Sequence, residues 1–344
     1  MKSVLILDPH LDQAIALAKY FRRFAPGWKI FGGSEAGRRP YFQPDYFIEI
    51  IECDFSNPTL GEQFDLIIPS GADSTYQRVS AVGDMALGDL RFTSQSLKAF
   101  DKARMLEAAA AAGLAVPETV YDHRSVSRFP VFYKDRREEN RLHRNRGIAV
   151  NAAVLALLPD PDGLLFQEYI DSPGTYGVGF LARAGDMLTH FTHKETVSLP
   201  RTGGAGVIVQ RVEDPRLIAA AAKLLHHLGF DGWGLIEFKF CPSRQDYVFM
   251  ELNAKFWQSL EFALGNNPQF FRMLFGIDYP ADKVEKMVFA RRYLMQPWRD
   301  RLRHLPRLRG CRVVETEHLV RFYIRHSLPE GVKSLVKNLG QKSK

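Results

Sequence analysis

Within residues 232–259, GWGLIEFKFCPSRQDYVFMELNAKFWQS, two apolar runs flank the turn-like CPSRQ, and each run carries a glutamate at a strand-like position. Side chains alternate along a strand, so Leu235, Glu237 and Lys239 share one face, Ile236, Phe238 and Phe240 share the other, and Glu251 and Asn253 point the same way. In a hairpin centred near Arg244, positions equidistant from it face each other; Glu237 and Glu251 each lie seven residues away. Like charges directly opposed, with Cβ atoms about 4.5 to 5.5 Å apart, destabilise a sheet. Either one carboxylate holds a proton or a cation lies between them. Two carboxylates with the amide oxygen of Asn253 form a hard, all-oxygen set suited to magnesium holding phosphate. The alternatives are a solvent-facing hairpin with scattered charges, neutralisation of one acid by Lys239, or a register slipped by one residue.

The elements that must position these residues follow from periodicity. Residues 4–8, VLILD, read as a buried strand, and residues 11–24 have helical spacing with Arg22 and Arg23 near the end, where cations suit the helix dipole. KIFGG, FIEIIECDF and FDLIIPSG supply further strands between turn residues, so residues 1–95 predict a parallel, doubly wound α/β domain. Its ligand-facing places are the carboxyl ends of the strands: Asp8, Gly32 and Gly33, and residues 70–73. No GxGxxG follows the first strand, which argues against dinucleotide binding and leaves these loops to shape a substrate pocket. A helix rich in Ala, Leu, Glu and Lys is expected to stop at Gly113. Strands are expected at 129–134, FPVFYK, at 164–170, LLFQEYI, and then at 176–184, 187–193 and 207–211, with a helix over 215–228 leading into the acidic hairpin. Residues 256–264 and 269–275 read as short helices. Past residue 290 the pattern weakens, and Pro297 and Pro306 interrupt any long helix.

Length and composition bound the function classes. The 344 residues are enough for two or three domains, and 46% hydrophobic with 25% charged residues is an ordinary globular balance. No run approaches the roughly 18 apolar residues of a membrane span, and the four-residue apolar stretch near the start is too short for a secretory signal, so cytoplasmic residence is the expectation. Cys53, Cys241 and Cys311 lie far apart, against a zinc knuckle or disulfide framework. The net charge of +7 is concentrated in the tail: from residue 291 onward ten Arg and four Lys face Asp300, Glu315, Glu317 and Glu330. Arginines interleaved with Trp298, Leu302, Leu305 and Leu308 fit an anionic membrane surface at least as well as nucleic acid, beside the plainer reading of a tail packed across the body.

The order of features over about residues 92–275 resembles the ATP-grasp superfamily, the carboxylate-amine ligase branch in particular. The resemblance is carried by Asp101-Lys102 followed by AGLAVPET, by FPVFYK ending in Lys134, by FQEYI, by HKETVSLPRTGG, by GWGLIEFKF and by MELNAKFWQSLEFALG. It implies an α+β fold of two lobes clasping ATP behind the α/β domain: 1–95 as the domain in front, 96–170 and 171–285 as the lobes, and 286–344 as a basic extension. It implies that Lys102 and Lys134 reach ATP phosphates, that Gln167, Glu168, Tyr169 and Ile170 link the lobes and meet adenine and ribose, and that Glu237, Glu251 and Asn253 bind Mg2+, two ions with Mn2+ as a substitute. Lys194, Arg201 and Lys255 are then candidates for holding the γ-phosphate or the acceptor carboxylate. The implied reaction is ADP-forming joining of a small carboxylate to an amine through an acylphosphate, in a protein that does not bind nucleic acid, with a homodimer left open. The rivals are a phosphotransferase acting on a hydroxyl and a nucleotide-binding protein without catalysis.

Two departures bear on this. The flap after Lys134, DRREENRLHRNRG, contains only Gly147, so Arg141, Arg144 and Arg146 are alternative phosphate contacts, or the loop is a solvated charge run. Relatives often have Pro-Arg after the asparagine and later Gly-Ser, where this chain has Ala254-Lys255 and Gln258-Ser259; a lysine keeps the charge but loses the bidentate fork.

Overall fold

The computed structural model describes residues 1–37, 45–139, 145–158, 161–200, 204–316 and 319. Four short strands near the N-terminus pair in parallel in the order Glu49–Glu52, Lys29–Ser34, Ser3–Leu7, Leu66–Ile68. The chain steps outward from the first strand and then returns to its other side, so a crevice opens beyond the carboxyl ends of Ser3–Leu7 and Leu66–Ile68. Asp8 sits there with φ of 57°, buried, and accepts a 3.1 Å hydrogen bond from the Gly71 N–H. Gly71 precedes the helix Ala72–Val82, and a Cβ at this position would lie 2.5 Å from Asp8 Oδ2, so a larger residue would displace that carboxylate.

A second sheet is antiparallel, in the order Thr119–Val120, Leu164–Glu168, Val131–Asp135, Arg146–Ala149. It has a small core of its own built on Val131, Ala149, Leu155, Leu164 and Phe166. The helix expected before it divides at Asp101. A 3-10 turn, Ser96–Phe100, gives way to the α-helix Lys102–Ala111 because the Asp101 carboxylate accepts from the N–H groups of Ala103 and Arg104 and caps the new helix.

The third sheet has seven strands: Asp246–Asn253, Gly232–Cys241, Thr175–Arg183, Asp186–Leu199, Ala205–Arg211, Lys286–Phe289 and Arg312–Val314. Its last two strands come from residues expected to form the extension at 286–344. The described part of the basic extension is stitched into this lobe, with Val288 opposite Ile208 and Val313 beside Val288. The helix Pro215–Leu228 turns Leu217, Ala221, Leu224 and Leu225 into the main core. That core continues into the N-terminal domain, where Phe21 packs edge-on against Phe271 at 5.0 Å and Phe24 stacks on Tyr279 at 4.6 Å. A buried ion cluster reinforces the junction: Asp12 on the first helix accepts from Arg291 and Arg292, each at 2.7 Å, and Arg292 also donates to Glu315 at 2.8 Å. Among the described residues no helix is long and apolar enough to cross a membrane.

Candidate active site

The two long strands of the acidic hairpin pair so that Glu237 faces Glu251 and Leu235 faces Asn253. The register is not uniform. Phe238 pairs with Phe249, leaving Met250 as an extra residue on one strand, and this bulge brings the two glutamates opposite each other. Asn253 bridges them, its Nδ2 donating to Glu237 Oε1 at 3.3 Å and Glu251 Oε1 at 3.2 Å. The amide nitrogen thus partly meets the demand for positive charge between the acids. Exchanging the amide's two ends would present an oxygen there and complete the all-oxygen set, at the cost of the bond that Asn253 Oδ1 accepts from Lys255 Nζ. Among the described residues no group of three or more His, Cys, Asp or Glu side chains is arranged to hold a metal, and a cation here would have this pair and the amide as its donors.

The facing wall comes from the smaller sheet. Lys134, buried in the strand Val131–Asp135, donates from Nζ to Glu251 Oε2 and to the Met250 carbonyl, both at 3.0 Å. Directly opposite it in antiparallel register is Arg146, so like charges are opposed here as well. Lys102 opens the helix Lys102–Ala111, held by the Lys102 N–H to Arg136 carbonyl bond of 2.9 Å and by the two-pronged contact of Arg136 with Asp101. Lys102, Lys134, Arg146, Glu237, Glu251 and Asn253 all border one cavity of about 430 Å³, whose far end reaches Gln13, Gly71, Trp257 and Ser259.

Burial in this cavity separates the two acids electrostatically. For Glu237 desolvation dominates, with Glu251 and Glu195 adding to it, and its carboxyl is pushed up to about 8. Glu251 feels the same burial, but Lys134, Lys102 and Arg146 outweigh it and hold the carboxyl below the ordinary range. Desolvation lowers Lys134 despite the nearby Glu251.

The remaining expected residues are scattered by comparison. Gln167 is fully buried, with Nε2 donating to Thr119 Oγ1 at 3.2 Å. Glu168 accepts from Arg244 at 2.6 Å, just past the end of the acidic hairpin's first strand. Tyr169 and Ile170, expected within a strand, lie beyond its end at Glu168 and border a second cavity of about 260 Å³ together with Lys239 and Glu195. Lys194 departs from expectation. It lies outside the 430 Å³ cavity, with Nζ over the Tyr176 ring, because its strand runs unbroken from Asp186 to Leu199 and alternation sends it to the opposite face. Lys255 borders the cavity, but its charge is engaged by Glu138 and by Asn253 Oδ1 at 3.2 Å. Arg201, Arg141 and Arg144 lie outside the described residues.

Glu195 is the principal residue that the sequence reading passed over. It lines both cavities, accepts from Ser198 Oγ at 2.9 Å, and is pushed up to about 7 by burial. Buried His193, on the same face, meets Ser259 Oγ through Nε2 at 3.1 Å. The signal was present: had the strand been extended through residue 199, positions 193 and 195 would have been phased together toward the acids.

The structure is similar to N5-carboxyaminoimidazole synthetase from Staphylococcus aureus in complex with ADP, at 11% identity and a TM-score of 0.61, over 89% of this chain and 86% of that one. It is similar to biotin carboxylase from Campylobacter jejuni in complex with β,γ-ATP, at 16% identity and a TM-score of 0.57, over 83% and 73%. It also resembles L-amino acid ligase from Bacillus licheniformis, at 11% identity and a TM-score of 0.55, over 77% and 70%. The chain has the ATP-grasp fold. No protein-family model matches the sequence, and no curated protein matches it. At these identities the likeness is one of fold, and the two lobes of that fold are the sheets that carry Lys134 and the acidic hairpin.

Proposed function

We propose that this chain is an ATP- and magnesium-dependent ligase that joins a carboxylate to an amine through an acylphosphate. One observation carries the reading: a single cavity presents opposed acids, Glu237 and Glu251, on one wall and opposed bases, Lys134 and Arg146, on the other. Within each wall the like charges repel, and the Lys134–Glu251 ion pair across the cavity offsets only part of that repulsion, leaving Glu237 and Arg146. Both are relieved by a cation and a phosphate chain held between the walls. The fold supports the same reading, since structures similar to it hold ADP or an ATP analogue and include a ligase of amino acids.

Glu237, Glu251 and Asn253 would hold the metal, which when bound neutralises phosphate oxygens and draws charge from the transferring group. Lys102, Lys134 and Arg146 would hold the phosphates as point charges and a fork. The backbone of Tyr169 and Ile170 would meet the adenine edge in the second cavity. A carboxylate oxygen of the first substrate attacks the γ-phosphorus and ADP leaves; the amine then attacks the acyl carbon, inorganic phosphate departs, and the amine gives up a proton. Positioning and charge neutralisation suffice for both steps, so no nucleophilic side chain is required. The far end of the cavity, between Gln13, Gly71 and Ser259, leaves room for the acceptor.

The test is an ADP-release screen over amino acids and other small carboxylates with magnesium, with and without amines, on the wild type and Glu251→Gln. Amine-dependent ADP release that disappears in a folded Glu251→Gln variant is the expected result. Unimpaired turnover in that variant overturns the assignment, and ADP formation with no amine requirement transfers it to a hydroxyl phosphotransferase.

A further inference from the structure

The basic extension has a use in this reading. The 260 Å³ cavity beside Tyr169 and Ile170 is closed on its other side by Arg303, His304 and Arg307, which belong to the helix Trp298–His304 and the 3-10 turn Leu305–Leu308. This segment is fixed at both ends, because it runs between the strands Lys286–Phe289 and Arg312–Val314 of the larger lobe. Internal bonds hold its course: Tyr293 Oη donates to the Arg301 carbonyl at 2.7 Å, and the buried His304 Nδ1 meets Gln296 Oε1 at 3.0 Å. Arg307 ties it to the cavity wall, Nη1 donating to the Thr196 carbonyl at 3.0 Å.

The charge of this cavity is one-sided. Lys239, Arg303 and Arg307 border it against a single acid, Glu195. Among the described residues neither Arg303 nor Arg307 forms an ion pair, whereas Arg291, Arg292 and Arg312 of the same extension are each paired with a carboxylate. Unpaired guanidinium groups at the mouth of a cavity favour a polyanion over a neutral guest. Glu195 borders both cavities, so they meet there; Arg303 and Arg307 border the one beside Tyr169 and Ile170, and a nucleotide whose base lies in it must run its phosphates out of that cavity toward Lys134.

We infer that residues 298–308 are a built-in wall of the nucleotide cavity and that Arg303 and Arg307 hold the phosphate chain of ATP by charge. The inference rests on the proposed ATP site. It assigns to two residues of the extension a role that neither nucleic acid nor a membrane surface requires.

The experiment is equilibrium titration of the full-length protein with ATP, ADP and adenosine in magnesium, read by calorimetry. It compares the wild type with the double variants Arg303→Ala/Arg307→Ala and Arg303→Lys/Arg307→Lys, whose folding is checked by circular dichroism. Both side chains are solvent-facing, so the variants are expected to fold. At low salt the alanine pair should weaken ATP roughly tenfold per arginine, with a smaller loss for ADP and none for adenosine, and added salt should narrow the difference. The lysine pair should retain part of the affinity. An unchanged ATP affinity in the alanine pair overturns the inference, as does an equal loss for ATP and adenosine. Failure of the wild type to bind ATP overturns both the inference and the reading beneath it.

Discussion

Replacing Glu237 by glutamine separates the electrostatics of the acidic pair from its packing, because the amide matches the carboxylic acid in shape. With its carboxyl at about 8, Glu237 is largely protonated in the folded protein at neutral pH, while in the unfolded chain it ionises in the ordinary range near 4.5. A group with a raised folded value binds its proton more tightly in the native state. Its stabilising contribution is therefore full below about 4.5 and is withdrawn as pH climbs to about 8, at up to about 1.4 kcal/mol per pH unit. Glu237→Gln cannot ionise, so it should be close to neutral for stability at low pH and more stable than the wild type at pH 8.5. A divalent cation reverses the order. Magnesium at a hundred times its Kd adds about 2.7 kcal/mol to the wild type, a shift of several degrees in melting temperature for a chain of this size. The variant, with one anionic ligand removed, should show little of it. The assay is a thermal melt of both proteins between pH 5 and 9, with EDTA and with 10 mM magnesium as the titrant chosen. A wild type that gains nothing from magnesium at pH 8.5, or a variant that gains as much, would refute the metal role of the pair.

Other perturbations test neighbouring parts of the argument. Lys134→Met leaves Glu251 ionised without its buried partner and should cost about 3 kcal/mol in urea unfolding; adding Glu251→Gln to it should restore most of the loss, and additive losses would show that the pair is not coupled. His193, lowered to about 4 by burial, is held neutral in the fold, so the unfolded chain takes up the proton first and stability should fall as pH drops from about 6.5 to about 4, by about 3 kcal/mol in all. His193→Gln should flatten that slope in acid titrations followed by fluorescence, and an unaltered slope would assign it elsewhere. Asp12→Asn removes one of the carboxylates that Arg291 and Arg292 face and should lower the unfolding free energy by about 2 kcal/mol, with no effect expected if the N-terminal domain and the extension are held by apolar packing only.

What the sequence disclosed divides along the distance over which residues must find each other. Glu237 and Glu251 lie on one hairpin, where a turn and an alternation suffice to oppose them, and their pairing was legible. Even so, the strands nearer the turn are offset by one residue from a hairpin centred on Arg244, and only the extra residue Met250 brings the glutamates into line. The helices Pro215–Leu228 and Gln269–Phe275 were legible end to end because their caps, Asp214 with Pro215 and Gly276, are local chemistry. The opposition of Lys134 and Arg146 was not, since the intervening charged loop gives no turn signal that sets a register across it. Lys194 and Glu195 are neighbours on opposite faces of a strand that runs to Leu199, six residues beyond the expected end at His193, and only the longer strand phases Glu195 with the acids. The extension was least legible for the same reason in stronger form. Lys286–Phe289 and Arg312–Val314 are too short to establish a period, and what makes them strands is a sheet edge offered by residues 205–211, far earlier in the chain. Arginines in such a segment look like a solvated tail until the edge that fixes them is known. The charge of residues 298–308 therefore acquires a direction, toward Tyr169 and Ile170, only through pairings that no local pattern announces.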